Sequence, residues 1–312
     1  DLLRIMKIPG AVIANDTKEC YDRMSLAIGS LCLQRLGTPL NILSALFITV
    51  INMRHYVRSG LGDSTSYYTS DRDKYLQGGG QGNGSGPPTW LAISVVLLKI
   101  IADYPINATF VSAVSLISIT MSAIMYVDDT DVLLTGGLHE THRQLGTKAQ
   151  KLTNKWCTML RMTGGALRSD KCWWFLIMFK WRPDGSWRYA NVDESMVDLT
   201  MPDHNNNVET VDRFESHEGK MGLGIYLAPD GNNKKQVEYM KDKTTEWCNK
   251  IKSSYMSVQA MYVALFMTIF ATLKYPLVAL TLTMKECEKI MIPVYQTALP
   301  RIGVNRHIAC VF

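Results

Sequence analysis

Two stretches of this 312-residue chain place carboxylates where carboxylates can do chemistry. In Ile124-Met125-Tyr126-Val127-Asp128-Asp129-Thr130-Asp131-Val132-Leu133-Leu134 an adjacent acidic pair sits between two apolar runs that include β-branched residues. That pattern reads as a β-hairpin with the pair at its tip. Turns usually recruit Gly, Asn or Pro, and this one has none of them, so a merely solvated acidic turn is the poorer reading. Desolvating neighbouring carboxylates costs heavily unless a cation neutralises them. A hard divalent cation such as Mg²⁺, held by a few carboxylates and by substrate phosphates, is the fitting partner. Upstream, the short apolar run Gly10 to Asn15 ends at Asp16. It reads as a strand that delivers Asp16 at its carboxyl end, with a helix starting soon after.

The residues around these acids resemble reverse transcriptases. Tyr126-Val127-Asp128-Asp129 matches the signature of that family, and Asp16 followed five positions later by Tyr21 resembles its first catalytic motif. The ending Tyr21-Asp22-Arg23 is similar to the form found in non-LTR, LINE-like retroelements. Between the acids lies Gln77-Gly78-Gly79-Gly80-Gln81-Gly82-Asn83-Gly84-Ser85-Gly86-Pro87-Pro88-Thr89-Trp90. A glycine-rich stretch alone reads as a linker. Here prolines and the apolar run Trp90 to Ile101 follow at once, which predicts a loop feeding a helix with proline in its first turn, a device that cradles a phosphate or a base pair. The Gly-Lys-Ser/Thr ending of a Walker loop is missing. The stretch resembles the second reverse-transcriptase motif through Gln81, Gly82 and Pro87, with Gly86 where Ser is widespread. Lys171, after the Gly164-Gly165 turn, stands where the fourth motif has a lysine near the pyrophosphate leaving group. Gly222-Leu223-Gly224-Ile225-Tyr226-Leu227 resembles the fifth motif, the hairpin that positions the primer end.

The resemblance implies a set of roles. Asp16 and Asp128 would bridge two Mg²⁺ ions, with Mn²⁺ as a substitute, and Asp129 would be a weaker ligand or an electrostatic support. Tyr21, beneath the sugar, would exclude a 2′-hydroxyl. Gln81 and Gly82 would line the nascent base pair, Tyr126 would lie on the substrate side, and Leu223 and Gly224 would position the primer. The implied partners are an RNA template, a DNA primer and dNTPs. The implied fold is α/β (α+β): a palm with a small antiparallel sheet backed by helices, spanning 1–230, then a helical thumb over 231–312. The fingers are largely missing, so they are expected elsewhere in a longer protein, together with any RNase H or endonuclease domain. The rivals are an RNA-dependent RNA polymerase, against which the aromatic residue at 21 speaks, and a catalytically retired palm that only binds nucleic acid.

The rest of the chain must build the scaffold. A hydrophobic fraction of 47% and a charged fraction of 20% belong to a globular chain. A net charge of +5 permits a nucleic-acid partner without requiring one. Seven scattered cysteines with no CxxC pair suit a reducing compartment, the cytoplasm or nucleus. Three charge-free apolar runs, Gly37–Met53, Phe110–Val127 and Met256–Thr272, are near the lower length for a bilayer span. Their polar residues favour interior segments of a soluble protein, with no membrane partner, over a multipass alternative. Periodicity predicts helices over Asp22–Arg35, Pro39–Arg54, Trp90–Ile101 and His139–Met162, then Lys234–Lys252, Met256–Leu273 and Met284–Leu299. His139 and His142 fall one residue short of the zincin spacing and read as a surface helix start. A strand is expected over Trp173–Trp181, a hairpin around Pro183-Asp184-Gly185, an irregular or hairpin excursion over Val57–Tyr75, and an excursion or domain seam over Asn191–Lys220. The six lysines of Lys234–Lys252 suit a face that rides on a nucleic-acid backbone.

Overall fold

The computed structural model describes residues 2–70, 78–112 and 114–304. The end of the Val57–Tyr75 excursion, Gln77 at the head of the glycine-rich stretch and the residues after 304 lie outside them. The chain divides into two compact units between Glu215 and Ser216, ahead of the boundary expected at 230.

The first unit is built on a five-stranded sheet. Its strands are β1 (Gly10–Asp16), β2 (Ala123–Tyr126), β3 (Asp129–Thr135), β4 (Trp173–Ile177) and β5 (Asp212–Phe214), in the spatial order β5-β4-β1-β3-β2. All neighbours are antiparallel except β5, which runs parallel to β4. Alternate residues of the central strands, Ala11 and Ile13, Val132 and Leu134, Trp174 and Leu176, are buried in one core. The same core takes one face each of α3 (Gly86–Ala102) and α4 (His142–Met162), through Trp90, Ile93, Leu97 and Ile101 and through Leu145, Ala149, Leu152, Trp156 and Leu160. A capping box between Thr141 and Gln144 starts α4, which puts His139 before the helix and His142 at its first residue. The fold class is therefore the expected one, a small, mainly antiparallel sheet backed by helices.

Several expectations are corrected. The helix predicted over Asp22–Arg35 is two pieces, Cys20–Arg23 and α1 (Leu26–Arg35), because Ser25 caps the second and its own N–H donates to the Thr163 carbonyl. The polar stretch 191–220, expected as an excursion or domain seam, contains the boundary between the two units and also supplies β5 to the sheet edge. The run Trp173–Trp181 is split into β4 and a strand at Phe179–Trp181, which pairs with Trp187–Tyr189 in the expected hairpin. Two of the charge-free runs are not interior. In α2 (Leu40–Ile51) only Leu43 is buried. The run from Phe110 forms a hairpin, Ala108–Val111 with Ser118–Met121, and then β2, with Val114, Leu116, Ile119 and Ile124 exposed. Here β-branched residues favour extended backbone at a sheet edge, and apolarity does not report burial.

The second unit holds α5 (Lys234–Ser253), a continuous helical run over Val258–Val278 and α6 (Met284–Arg301), around a core of its own that includes Met240, Ile251, Leu265, Ile269 and Val294. Among the described residues, Val258–Val278 is the one helix long and apolar enough to cross a bilayer, a test that a core helix also passes. Four of its buried residues, Met261, Leu265, Ile269 and Leu273, recur every four positions, with Pro276 buried near its end. That spacing drifts around an α-helix of 3.6 residues per turn, and the π-helical segment Ala264–Phe270 takes up the drift. The unit opens with a hairpin, Lys220–Gly222 against Ile225–Leu227. Its two turn residues, Leu223 and Gly224, both have positive φ, 51° and 79°, as a tight two-residue hairpin turn demands. The Tyr275 hydroxyl donates to the Leu223 carbonyl at 2.7 Å, and the Tyr226 N–H donates to Gln236 at 2.7 Å.

Candidate active site

Asp16 is the last residue of β1 and stands opposite Asp129, the first residue of β3. Residues opposed across an antiparallel pair share a face of the sheet. Their neighbours Asn15 and Thr130 take the other face and are buried at 4% and 1% exposure, so Asp16 and Asp129 are left on the face opposite the helices. Val127 and Asp128 form the two-residue turn between β2 and β3, closed by the Tyr126–Asp129 pair. The Asp128 carbonyl accepts from the Thr17 N–H at 3.1 Å, which fastens the tip to the end of β1.

The turn after α4 is laid along the same strand end. Lys18 N–H donates to the Ala166 carbonyl at 2.8 Å and Arg168 N–H to the Asp16 carbonyl at 2.9 Å. A single turn of helix, Ser169–Lys171, then aims the Lys171 ammonium at Asp16, 3.4 Å from Oδ2. From the other side the glycine-rich loop is fastened to the segment after β1. Gly79 N–H donates to the Tyr21 carbonyl at 2.8 Å, and Gln81 N–H donates to the Asp22 carboxylate at 2.7 Å. At Gly78, with φ 86°, a Cβ would fall 2.2 Å from the Asp22 backbone, so only glycine lets the loop approach this closely.

These contacts enclose an open cleft of about 530 Å³ lined by Asp16, Tyr21, Gln81, Asp128, Arg168 and Lys171 among others. Of the residues singled out in the sequence, the cleft thus gathers Asp16, Tyr21, Gln81, Asp128 and Lys171. Asp129 and Tyr126 are exposed beside it and do not line it, and Gly82 lines a neighbouring cleft with Asp22, His55 and Tyr68. Leu223 and Gly224 belong to the second unit. Three contributors escaped sequence reasoning. Arg168 lines the cleft while paired with Asp170 at 2.7 Å, and Asp22 anchors the loop. Both are placed by tertiary contacts; Asp22 enters the sequence pattern only within the Tyr21-Asp22-Arg23 ending, which does not signal its anchoring role. Asp131 was missed although a signal existed, because a period of two puts it on the Asp129 side of β3.

Charge repulsion marks the site. Burial, then Asp128 and Asp16, hold the Asp129 carboxyl above the usual carboxylate range, with Lys171 pulling the other way. Asp131 is pushed up to about 6 by burial and by Asp129. The Cys20 thiol is pushed up to about 11, by burial first and then by Asp128. Beside the cations Lys18, Arg168 and Lys171, the charged groups lining the cleft are carboxylates, the ligand type of a hard cation. Among the described residues, no three His, Cys, Asp or Glu side chains converge into a cage. Mg²⁺ needs no such cage, since one or two carboxylates and substrate phosphates suffice, and Asp16 with Asp128 fits that requirement.

The first unit is thus an α/β fold whose antiparallel sheet ends in an acidic cleft walled by a glycine-rich loop. No protein-family model and no curated protein matches the chain. Among solved structures it is similar to telomerase from Candida tropicalis in complex with a TWJ fragment of telomeric RNA, at TM-score 0.41 and 12% identity, over 97% of this chain and 41% of that one. Telomerase from Candida albicans in complex with a TWJ fragment of telomeric RNA gives TM-score 0.39 and 11% identity over 96% and 45%. Apo telomerase from Candida tropicalis gives TM-score 0.39 and 12% identity over 97% and 48%. The chain spans less than half the length of each of these telomerase chains.

Proposed function

We propose that this chain is the palm and adjoining helical thumb of an RNA-directed DNA polymerase of a retrotransposon-like, LINE-type element. It would join deoxynucleotides to the 3′-hydroxyl of a DNA primer on an RNA template. The observation that carries this reading is the convergence of Asp16 and Asp128, 112 residues apart in the chain, in one cleft with Lys171, Tyr21 and Gln81. Fingers that clamp the triphosphate, and any RNase H or endonuclease activity, would come from elsewhere in the full-length protein. Free thiols at all six described cysteines fit work inside the cell, in the nucleus or cytoplasm.

A pair of Mg²⁺ ions, or Mn²⁺ in their place, would supply the acidification of the primer hydroxyl and neutralisation of the triphosphate. Asp16 and Asp128 would hold them. Asp129, beside the cleft, adds negative potential from outside the ligand set. Lys171, on the Asp16 side, is placed to meet the charge that develops on the leaving pyrophosphate. Tyr21 and Gln81 shape the side of the cleft that takes the sugar and base. On α5, Lys235, Lys243 and Lys250 are paired with Glu238 or Glu246. No ion pair within the described residues reaches Lys234, Lys241 or Lys252, and these three would meet duplex phosphates.

The test is Asp128→Asn in the full-length protein, read by primer extension and by thermal melting. Loss of a ligand should cost more than the roughly 10–100-fold typical of outer-shell changes. Melting should hold or rise, because the repulsion on Asp129 is relieved. Extension within tenfold of wild type would overturn the assignment.

A further inference from the structure

We infer that Trp90 is a positioning residue for the acidic hairpin: its indole N–H holds the Val127-Asp128 turn in the shape that aims Asp128 into the cleft. The inference deepens the polymerase reading and rests on it for its catalytic readout alone.

The turn does not hold that shape by itself. Val127 has φ 58°, a left-handed conformation that is a genuine outlier for a β-branched side chain. Asp128 has no positive φ among the backbone exceptions. A two-residue hairpin with positive φ at its first position only is the type II′ pattern, whose first position calls for glycine. A strained conformation of this kind persists only when its surroundings over-determine it.

Two donors do so here, one on each carbonyl of the turn. Thr17 N–H donates to the Asp128 carbonyl at 3.1 Å, and the Trp90 indole donates to the Val127 carbonyl at 2.6 Å. The first is a backbone contact that any residue at 17 except proline could make. The second needs an indole. Trp90 is 3% exposed, so water is a poor substitute partner for its N–H. Burial alone does not give a tryptophan of this protein a partner. The indole nitrogens of Trp156 and Trp174, both fully buried, have no hydrogen-bond acceptor among the described residues.

Placement adds a consequence. Trp90 lies in the first turns of α3, four residues beyond Gly86, where the glycine-rich loop ends. That loop is fastened to Tyr21 and Asp22. One short segment thus sets both the nucleotide side of the cleft and the direction of Asp128, so a displaced loop would be felt at the acid.

A core aromatic with no such role would behave differently, and three variants separate the two cases: Trp90→Phe, Val127→Gly and the double variant. Phenylalanine keeps a large ring in the core and removes the donor. Glycine removes the strain that the donor opposes. The readouts are amide hydrogen exchange at Thr17, which reports the turn without catalysis, and single-nucleotide incorporation by the full-length protein. In Trp90→Phe, Thr17 should exchange faster and kcat should fall about tenfold with KM for dNTP held, the size of an outer-shell effect. Adding Val127→Gly should return both readouts toward wild type. Unchanged Thr17 exchange in Trp90→Phe, or a loss that Val127→Gly fails to restore, would overturn the inference. If wild type incorporates no nucleotide, the polymerase reading fails, and Thr17 exchange in the same variants still decides the role of Trp90.

Discussion

The ring of Tyr21 rests against the backbone of residue 86. A Cβ built on Gly86 would lie 3.3 Å from Tyr21 Cδ1, so the absence of a side chain at 86 is what allows the ring its place. Serine there would have to push the ring aside by a few tenths of an ångström, which accounts in steric terms for glycine at 86. On the proposed polymerase reading, a ring held between the glycine-rich loop and the Asp16 end of β1 would exclude a ribose 2′-hydroxyl. Tyr21→Val should therefore admit ribonucleotides much more readily while deoxynucleotide incorporation falls less. Matched dNTP and rNTP incorporation on wild type and variant measures this. Tyr21 is also half-buried against the core, and a purely structural ring would lower stability and both activities together, leaving the ratio unchanged.

At the scale of elements, the hairpin Phe179–Trp181 with Trp187–Tyr189 is tied to the chain that follows by one carboxylate. Glu194 accepts from Arg188 at 3.0 and 2.5 Å, from the Asn191 N–H at 2.8 Å, and pairs with Lys180 at 2.9 Å. The Arg188 guanidinium foremost, then the Asn191 amide and Lys180, hold its carboxyl far below the ordinary glutamate value of 4.5. A depressed carboxylate contributes stability that is present above the unfolded-state value and lost as pH falls through the folded one. Glu194→Gln should accordingly be less stable than wild type at pH 7, with the gap closing as the medium is acidified below about 4.5. Urea midpoints across that range measure it, and a gap that widens in acid would show that the hairpin is held by something else. The network is exposed to solvent, so added salt should shrink the effect.

At the scale of the whole molecule, the chain builds two cores. Among the described residues the core of the first unit and that of the second share no member. Each unit therefore has the means to unfold cooperatively in its own right, and two transitions are expected in calorimetry. Leu152, fully buried in the first core, and Leu265, at 4% exposure in the second, are the probes. Each replaced by alanine should cost about 2–5 kcal/mol in the transition of its own unit and leave the other nearly in place. Equal displacement of both transitions by either variant would show one cooperative body.

The acids, the glycine-rich loop and the helices of both units were legible in the sequence because each is a local pattern. Asp16 and Asp128 each close an apolar run, and a two-residue period fixes which side of a strand an acid takes. Leu145 to Leu160 recur at helical spacing, whereas the start of that helix at the Thr141–Gln144 cap came from the structure. What the sequence could not decide is what depends on partners distant along the chain. Burial was misread over Phe110–Val127, since apolar composition is the same at a sheet edge as in a core. The strand at Asp212–Phe214 was hidden because it is only three residues long and two of them are charged, and it is defined by its pairing with β4. Lys171 was expected near the chemistry by resemblance, yet only the turn laid along β1 brings it to 3.4 Å from Asp16. The Trp90 indole gave no sign in the sequence beyond that of a helix residue. Its acceptor, the Val127 carbonyl, lies 37 positions away, and a single hydrogen bond of that span leaves no periodicity to read.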